Sequence, residues 1–145
     1  MGNTMSDLDP LEVPALLLRM VPETAEHIAE LYEMPADKAV TSEAAQYDTF
    51  ALLQEAFMEP VVLPELARTS PDAELMGRCF EFADLLVRSS THALTGPVYF
   101  QVLEALLEEE MFLQRAIPFM REKTREKTAK MLIGNGNAVP DALLR

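Results

Sequence analysis

Ser70-Pro71-Asp72-Ala73-Glu74-Leu75-Met76-Gly77-Arg78-Cys79-Phe80-Glu81-Phe82-Ala83-Asp84-Leu85-Leu86-Val87 is the stretch whose reading decides the fold. Ser70 and Pro71 read as an N-cap and a first-turn proline, and predict a helix over residues 71–88. Leu75, Cys79, Phe82 and Leu86 fall in one row at helical spacing. Met76, Phe80, Ala83 and Val87 fall in the next. Two adjacent apolar rows make a wide face, so this helix is expected at the centre of the molecule. Gly77 inside it costs ~1 kcal/mol relative to alanine, which suggests a close helix contact there.

Outward from this helix the periodicity stays helical, and alternating strand patterns are absent. Asp9-Pro10-Leu11-Glu12 forms a capping-box start for a helix from Pro10 to Met20, with Pro14 in its early turns. Pro22 opens a second helix to Glu33, ended by Met34-Pro35. Residues 35–46 read as a loop. A third helix runs from an Asp48 N-cap to Glu59, with Phe50, Leu53 and Phe57 on its apolar row. Pro60 and Pro64 are expected to break it. Ser89 to Gly96 reads as a polar linker, and Gly96-Pro97 as the start of a fifth helix over 97–110. A sixth helix over 118–132 is expected to stop at a Gly134 cap. Gly134-Asn135-Gly136-Asn137 then reads as a hinge, followed by a frayed tail or a short docking segment. The expected architecture is all-α: a single-domain irregular bundle of about six helices, with a helical domain over 1–134 and a flexible or docking tail over 135–145.

A chain of 145 residues is one domain on length, and can bury roughly two-thirds of its unfolded surface. Hydrophobic residues at 49% and charged residues at 25% are ordinary for a folded domain and argue against disorder. The single cysteine, Cys79, excludes an internal disulfide and a multi-cysteine zinc site. No apolar run is long enough to span a membrane, and Asp7, Asp9 and Glu12 make the N-terminus unlike a secretory signal. Met1-Gly2 with Ser6 fits a myristoylation pattern, but no basic patch follows to supply a second anchor. A cytoplasmic location is expected, which also suits a free thiol.

Charge is partitioned along the chain. The net charge of −12 comprises −16 over residues 1–114 and +4 over residues 115–130. This acidity disfavours nucleic acid and anionic membranes as partners and would steer a basic protein. At helical spacing Glu23, Glu26, Glu30 and Glu33 form a stripe opposite Ile28, Leu31 and Tyr32. Glu108, Glu109 and Glu110 form a second acidic cluster. Both are candidate partner-binding residues; solubility alone is the plainer explanation. Within the basic stretch, Arg121-Glu122-Lys123-Thr124 repeats as Arg125-Glu126-Lys127-Thr128. Its plainest reading is a solvated helix face laced by pairs such as Lys123–Glu126.

Catalytic and metal chemistry find little support. A di-iron bundle needs Glu-x-x-His, whereas His27 follows Thr24 and His92 follows Ser89 at that spacing. No metal or cofactor is expected, and no catalytic residue. Cys79 lies on an apolar row, where an inert thiol is expected. His92 has no nameable catalytic partner, and there is no glycine-rich phosphate loop. The nine methionines are most simply gap-fillers of a helical core.

Leu18-Arg19-Met20-Val21-Pro22-Glu23, the Tyr47–Glu59 helix, Asp72-Ala73-Glu74-Leu75, Arg78-Cys79-Phe80-Glu81-Phe82-Ala83, Val102-Leu103-Glu104-Ala105-Leu106 and Lys123-Thr124-Arg125 follow one another in an order that resembles a family of small all-helical bacterial proteins. Some members of that family are associated with toxin immunity. Residues 1–8 and those after Gly134 lie outside the resemblance. It implies no catalytic residue. Taken with the charge layout, the expectation is a non-enzymatic protein-binding module, immunity- or antitoxin-like, that neutralises a partner, for instance a basic toxin, through an acidic surface. The alternative is a small-molecule or effector-binding helical domain, or an enzyme whose site assembles only in the fold. Oligomeric state is not legible.

Overall fold

The structure, a computed structural model, describes residues 8–89 and 92–144. The myristoylation pattern at Met1-Gly2-Ser6 lies outside the described residues, as do Ser90 and Thr91. Every regular element among the described residues is helical, and none is a strand. The all-α expectation holds. The helices are shorter and more numerous than the six expected, because prolines and helix ends divide the chain more finely.

Helix α7 (Ala73–Arg88) carries the core. Met76, Cys79, Phe80, Phe82, Ala83 and Leu86 are buried on the face that the two apolar rows predicted. Phe82 meets Phe57 edge-to-face with ring centroids 5.1 Å apart, a geometry worth ~1 kcal/mol beyond the buried area. Its start is set by Asp72 rather than Ser70: Asp72 Oδ1 accepts from the backbone N–H of Glu74 and Leu75 at 3.0 and 3.1 Å. The carboxylate answers two orphan donors at once, and leaves Ser70 and Pro71 outside the helix.

Around α7 lie α1 (Val13–Met20), α2 (Ala25–Tyr32), α3 (Ala36–Ala39), α4 (Glu43–Gln46), α5 (Thr49–Ala51), α6 (Leu63–Leu66), α8 (His92–Pro97), α9 (Glu110–Ala116) and α10 (Glu122–Gly134). The Asp9 cap forms as expected, its carboxylate accepting from Leu11 N–H at 3.0 Å over a 3-10 turn Pro10–Glu12. Pro14 sits in the first turn of α1. Residues 35–46, expected as a loop, contain the single-turn helices α3 and α4, the latter capped by Ser42.

The largest departure concerns prolines. Pro60 and Pro64 do not break the third helix. A π-type segment Leu52–Val62 joins α5 to α6 without interruption, and Leu63 N–H reaches Met58 O five residues back. In an α register the Pro60 ring would meet the carbonyl four residues earlier, and the wider π turn moves it away. A second π-type segment, Val98–Leu103, continues α8, so Pro97 lies inside helical chain and does not open it. The expected polar linker over 89–96 is thus partly helical, and the fifth helix splits at Glu109. Phe50, predicted on the buried row with Leu53 and Phe57, is 49% exposed. It stands before the π register begins, out of line with the other two.

The C-terminal end is also built differently. Helix α10 begins at Glu122, after a 3-10 turn Ile117–Phe119. Gly136, not Gly134, ends it: Gly136 takes φ +76°, its N–H reaches Ile133 O at 3.0 Å, and Asn137 N–H reaches Leu132 O at 2.8 Å. That is a Schellman cap, which needs a left-handed residue one past the cap position. The expected hinge is therefore a closed turn. The tail docks: Leu143 is buried, and Arg125 Nη1 donates to Ala142 O at 3.0 Å. The repeat is not a purely solvated face either. Lys123–Glu126 pairs at 3.5 Å, but Thr124 and Thr128 are fully buried.

Beyond its own helical turn, Gly77 has no atom within 4 Å of where a Cβ would stand, so the close helix contact expected there does not occur. Gly77→Ala is expected to stabilise the protein by roughly 0.5–1 kcal/mol through helix propensity alone. Urea denaturation checks this, and a destabilised variant would contradict it.

Candidate functional site

The first acidic set runs along α2 and its flanks, and the second lies at the start of α9. Glu23 lies in the 3-10 turn Pro22–Thr24 that leads into α2. It is exposed, but its carboxylate is committed: Arg78 Nη1 and Nη2 bind its two oxygens at 2.8 and 2.7 Å. Arg78 also holds Glu74 and donates to Met20 O at 3.1 Å. The Arg78 hydrogen bonds keep the Glu23 carboxyl below its ordinary range, outweighing desolvation. The guanidinium is raised in turn, first by Glu23 and then by Glu74. Glu26 and Glu30 stand exposed on α2, and Glu33 ends that helix in the left-handed region at φ 56°. Glu108 and Glu109 lie exposed between Leu107 and α9, and Glu110 is in the first turn of α9, where the helix dipole favours a carboxylate.

The fold brings parts of the two sets to one element. His27, Glu30, Leu31 and Glu55 line a cleft of about 360 Å³. Gln54, Glu59, Phe100, Gln101, Glu104 and Glu108 line another of about 250 Å³. Glu55 and Glu59 both belong to the π-type segment Leu52–Val62, so this segment stands between the clefts and contributes acid to each. In a π register residues five apart stack, and Gln54 Nε2 donates to Glu59 Oε2 at 2.9 Å across that interval. Gln101 Nε2 donates to Gln54 Oε1 at 2.7 Å, tying the Val98–Leu103 segment to the same face. Among the described residues, none of Glu26, Glu30, Glu55, Glu59, Glu104 and Glu108 is in an ion pair. Sequence periodicity left Glu55 out of both sets. Its partner cleft depends on α2 packing on a segment some twenty-five residues on, which spacing does not encode.

Other polar residues serve the architecture. Asp84, on α7, is buried. Its Oδ1 accepts from Thr124 Oγ1 at 2.9 Å and from Thr124 N–H at 3.3 Å, and Arg88 Nε meets its Oδ2 at 2.9 Å. A carboxylate from one helix thereby caps the N-terminus of another. The Tyr32 hydroxyl donates to Asp48 Oδ2 at 3.1 Å, and burial first, then Asp48, raises its pKa. Burial pushes the Cys79 thiol up to about 12, so it carries almost no thiolate at neutral pH. His27 lies beside Glu30, while the side chain of His92 is outside the described residues. Among the described residues no cluster of three or more His, Cys, Asp or Glu is placed to hold a metal ion.

Asp84→Ala leaves the N-terminus of α10 unanswered in the interior and is expected to cost roughly 3 kcal/mol. Thr124→Val should cost about 1–2 kcal/mol, and the two should couple in a double-mutant cycle by urea denaturation. Arg88→Ala, half exposed in its pair, should cost less than about 1 kcal/mol. Because the folded-state pKa of Glu23 is depressed, its stabilising contribution is present above the ordinary carboxylate value and is lost as pH falls through the folded value. The gap in unfolding midpoint between the wild type and Glu23→Gln, open at neutral pH, is expected to narrow below about pH 4.5.

Compared with protein-family models, with curated proteins and with solved structures, the chain matches none.

Proposed function

We propose that this protein is a non-enzymatic binding module that engages a basic protein partner through its acidic surface. The observation that supports it best is the placement of Glu30 and Glu55 in one cleft and Glu59, Glu104 and Glu108 in the next, with Glu55 and Glu59 on one helical segment. These carboxylates are left without cations of their own among the described residues. An acidic face outside any ion pair gives up no internal salt bridge when a partner's lysines and arginines arrive, and its field speeds the encounter. Glu26, Glu33, Glu109 and Glu110 extend the surface. Glu23 contributes less, since Arg78 already holds it. The groups with shifted pKa values, Glu23, Tyr32, Arg78 and Cys79, line neither cleft, which favours recognition over acid–base chemistry at these places.

The resemblance carried by Leu18–Glu23, Arg78–Ala83 and Val102–Leu106 suggests an immunity- or antitoxin-like role, in which binding occludes a toxin. On this reading the protein acts in the cytoplasm. Among the described residues no helix is long and apolar enough to cross a membrane.

The test is charge reversal with a matched control. Glu30→Lys, Glu55→Lys and Glu108→Lys together should leave helicity intact, because exposed substitutions change stability by about 0.5 kcal/mol or less each. They should slow association with a basic protein captured by the wild type, and the difference should shrink above ~0.15 M salt, where screening acts within about 8 Å. The control reverses Asp37, Glu43 and Asp141, which are exposed and line neither cleft. Equal weakening by the control would reduce the effect to net charge, and no weakening by either would remove the acidic surface from the interface.

A further inference from the structure

Three aromatic side chains, Tyr47, Phe50 and Phe100, stand exposed by 73%, 49% and 53%. They lie on one face. Tyr47 and Phe50 line a hollow of about 470 Å³ with Pro10, Leu11 and Pro97. The Phe50 Cζ stands 3.5 Å from where a Cβ on Gly96 would be, so its ring rests against the turn of α8 that leads on to Phe100. Gln101 ties this hollow to the acidic cleft of about 250 Å³. Its Nε2 donates to Phe50 O at 3.3 Å and to Gln54 Oε1 at 2.7 Å. Gln54, Gln101 and Phe100 line that cleft together with Glu59, Glu104 and Glu108. One surface therefore runs from an end of aromatic rings and prolines to an end of carboxylates. Large rings gathered on one face and rimmed by polar groups mark a binding surface, and aromatic residues are the common anchors of protein interfaces.

Charge identifies the occupant. The lining of the acidic end has no lysine, arginine or histidine to offset Glu59, Glu104 and Glu108. The same sign continues around the aromatic end. The face is built from residues 8–18, 39–67 and 89–114, and none of these stretches contains a lysine or an arginine. They carry Asp9 and Glu12, five carboxylates over 39–67 and four over 89–114. A second copy of the chain would bring the same carboxylates against these, so like charge opposes it, whereas a basic segment of another protein is drawn in. A groove lined by aromatic rings takes an extended segment. Phe50 and Glu59 are nine residues apart along helical chain, roughly 14 Å at a rise of about 1.5 Å each. An extended chain covers that distance in about four residues. We propose that Tyr47, Phe50 and Phe100 anchor an extended basic segment of a partner protein, which seats an apolar side chain in the hollow at Tyr47 and Phe50 and lays its cations, about four residues away, on Glu59, Glu104 and Glu108. This rests on the acidic-surface reading and adds the partner's apolar anchor and its spacing from the cations.

The probe is a labelled synthetic peptide in which a glycine–serine spacer of about four residues separates a tryptophan from a run of arginines, made in both chain directions. One counterpart replaces the tryptophan by serine, and another replaces the arginines by glutamates. Fluorescence anisotropy with the full chain should show saturable one-to-one binding of the probe in one direction or the other, and none of the glutamate peptide. Loss of the tryptophan should weaken binding about tenfold or more. Tyr47→Ser with Phe50→Ser should weaken the probe by a similar factor and leave its salt dependence unchanged, because apolar contacts are not screened. Glu59→Gln with Glu104→Gln and Glu108→Gln should weaken it and flatten that dependence. Should the Phe50 variant disturb the fold, Tyr47→Ser with Phe100→Ser replaces it, both rings being more than half exposed. Binding that falls in the glutamine variant but ignores the tryptophan and the aromatic substitutions overturns the anchor and leaves the acidic-surface reading standing. Binding that ignores the glutamines, or no saturable binding up to about 1 mM, overturns the proposal. So does dimerisation of the wild type that the aromatic substitutions abolish, because the occupant is then a second copy. The acidic-surface reading is decided separately, by reversal of Glu30, Glu55 and Glu108.

Discussion

This chain is built of short helices, and each helix end exposes backbone donors and acceptors that water or a side chain must answer. Burying the core removes the water. The structure meets the demand with a few long-range contacts. Arg78 donates to Met20 O at the end of α1. Arg115 Nη1 donates to Leu66 O and Arg68 O, at 2.9 and 2.7 Å, where α6 ends. Arg125 donates to Met120 O and Ile117 O as well as to the docked tail at Ala142 O. N-terminal donors are answered by Asp9, Ser42 and Asp72 locally, and by Asp84 from a neighbouring helix. Among the described residues no buried side-chain nitrogen or oxygen is left without a partner. A cation beside a helix C-terminus also opposes the negative end of the dipole, so each of these arginines acts on charge and on hydrogen bonding together.

That use of cations shapes the surface. The chain has 12 lysines and arginines against 24 acidic residues; Arg115 binds the Leu66 and Arg68 carbonyls, and Arg78 holds Glu23 and Glu74 together with the Met20 carbonyl. With half as many cations as carboxylates, much of the acidic exterior is left outside ion pairs. Among the described residues the clefts around Glu30 and Glu108 hold no ion pair, and the cations concentrate instead on α10 and its cap.

The π-type segments connect architecture to these surfaces. Leu52–Val62 passes through Pro60 by widening, and buries Leu52, Leu53, Ala56, Phe57, Met58, Val61 and Val62. Almost every other position is consumed by packing, so Gln54, Glu55 and Glu59 form its narrow wet face. The wider turn places Gln54 over Glu59 and sets the line along which both acidic clefts meet. A tighter α register would have turned these side chains to different bearings.

The sequence by itself determined the α class, the two apolar rows of α7, the Asp9 start and the separation of acidic body from basic stretch, because all of these are local. Helical spacing shows which residues share a face, and a row as wide as Met76-Phe80-Ala83 beside Cys79-Phe82-Leu86 has to be covered. Tertiary structure alone decided what covers each face. Phe50 shares spacing with Leu53 and Phe57 yet stays exposed, since the register changes between them. Thr124 and Thr128 sit in a charged repeat yet are buried, since Asp84, forty residues earlier, answers Thr124, and Thr128 bonds back to the Thr124 carbonyl. Gly134 and Gly136 are equally plausible caps by composition, and only the docking of Leu143 and the bonds back to Leu132 and Ile133 select the second. Glu55 joins Glu30 only once α2 packs against the π-type segment. Periodicity reports the geometry of one helix about its own axis, whereas burial, capping and shared clefts are set by neighbours distant in the chain.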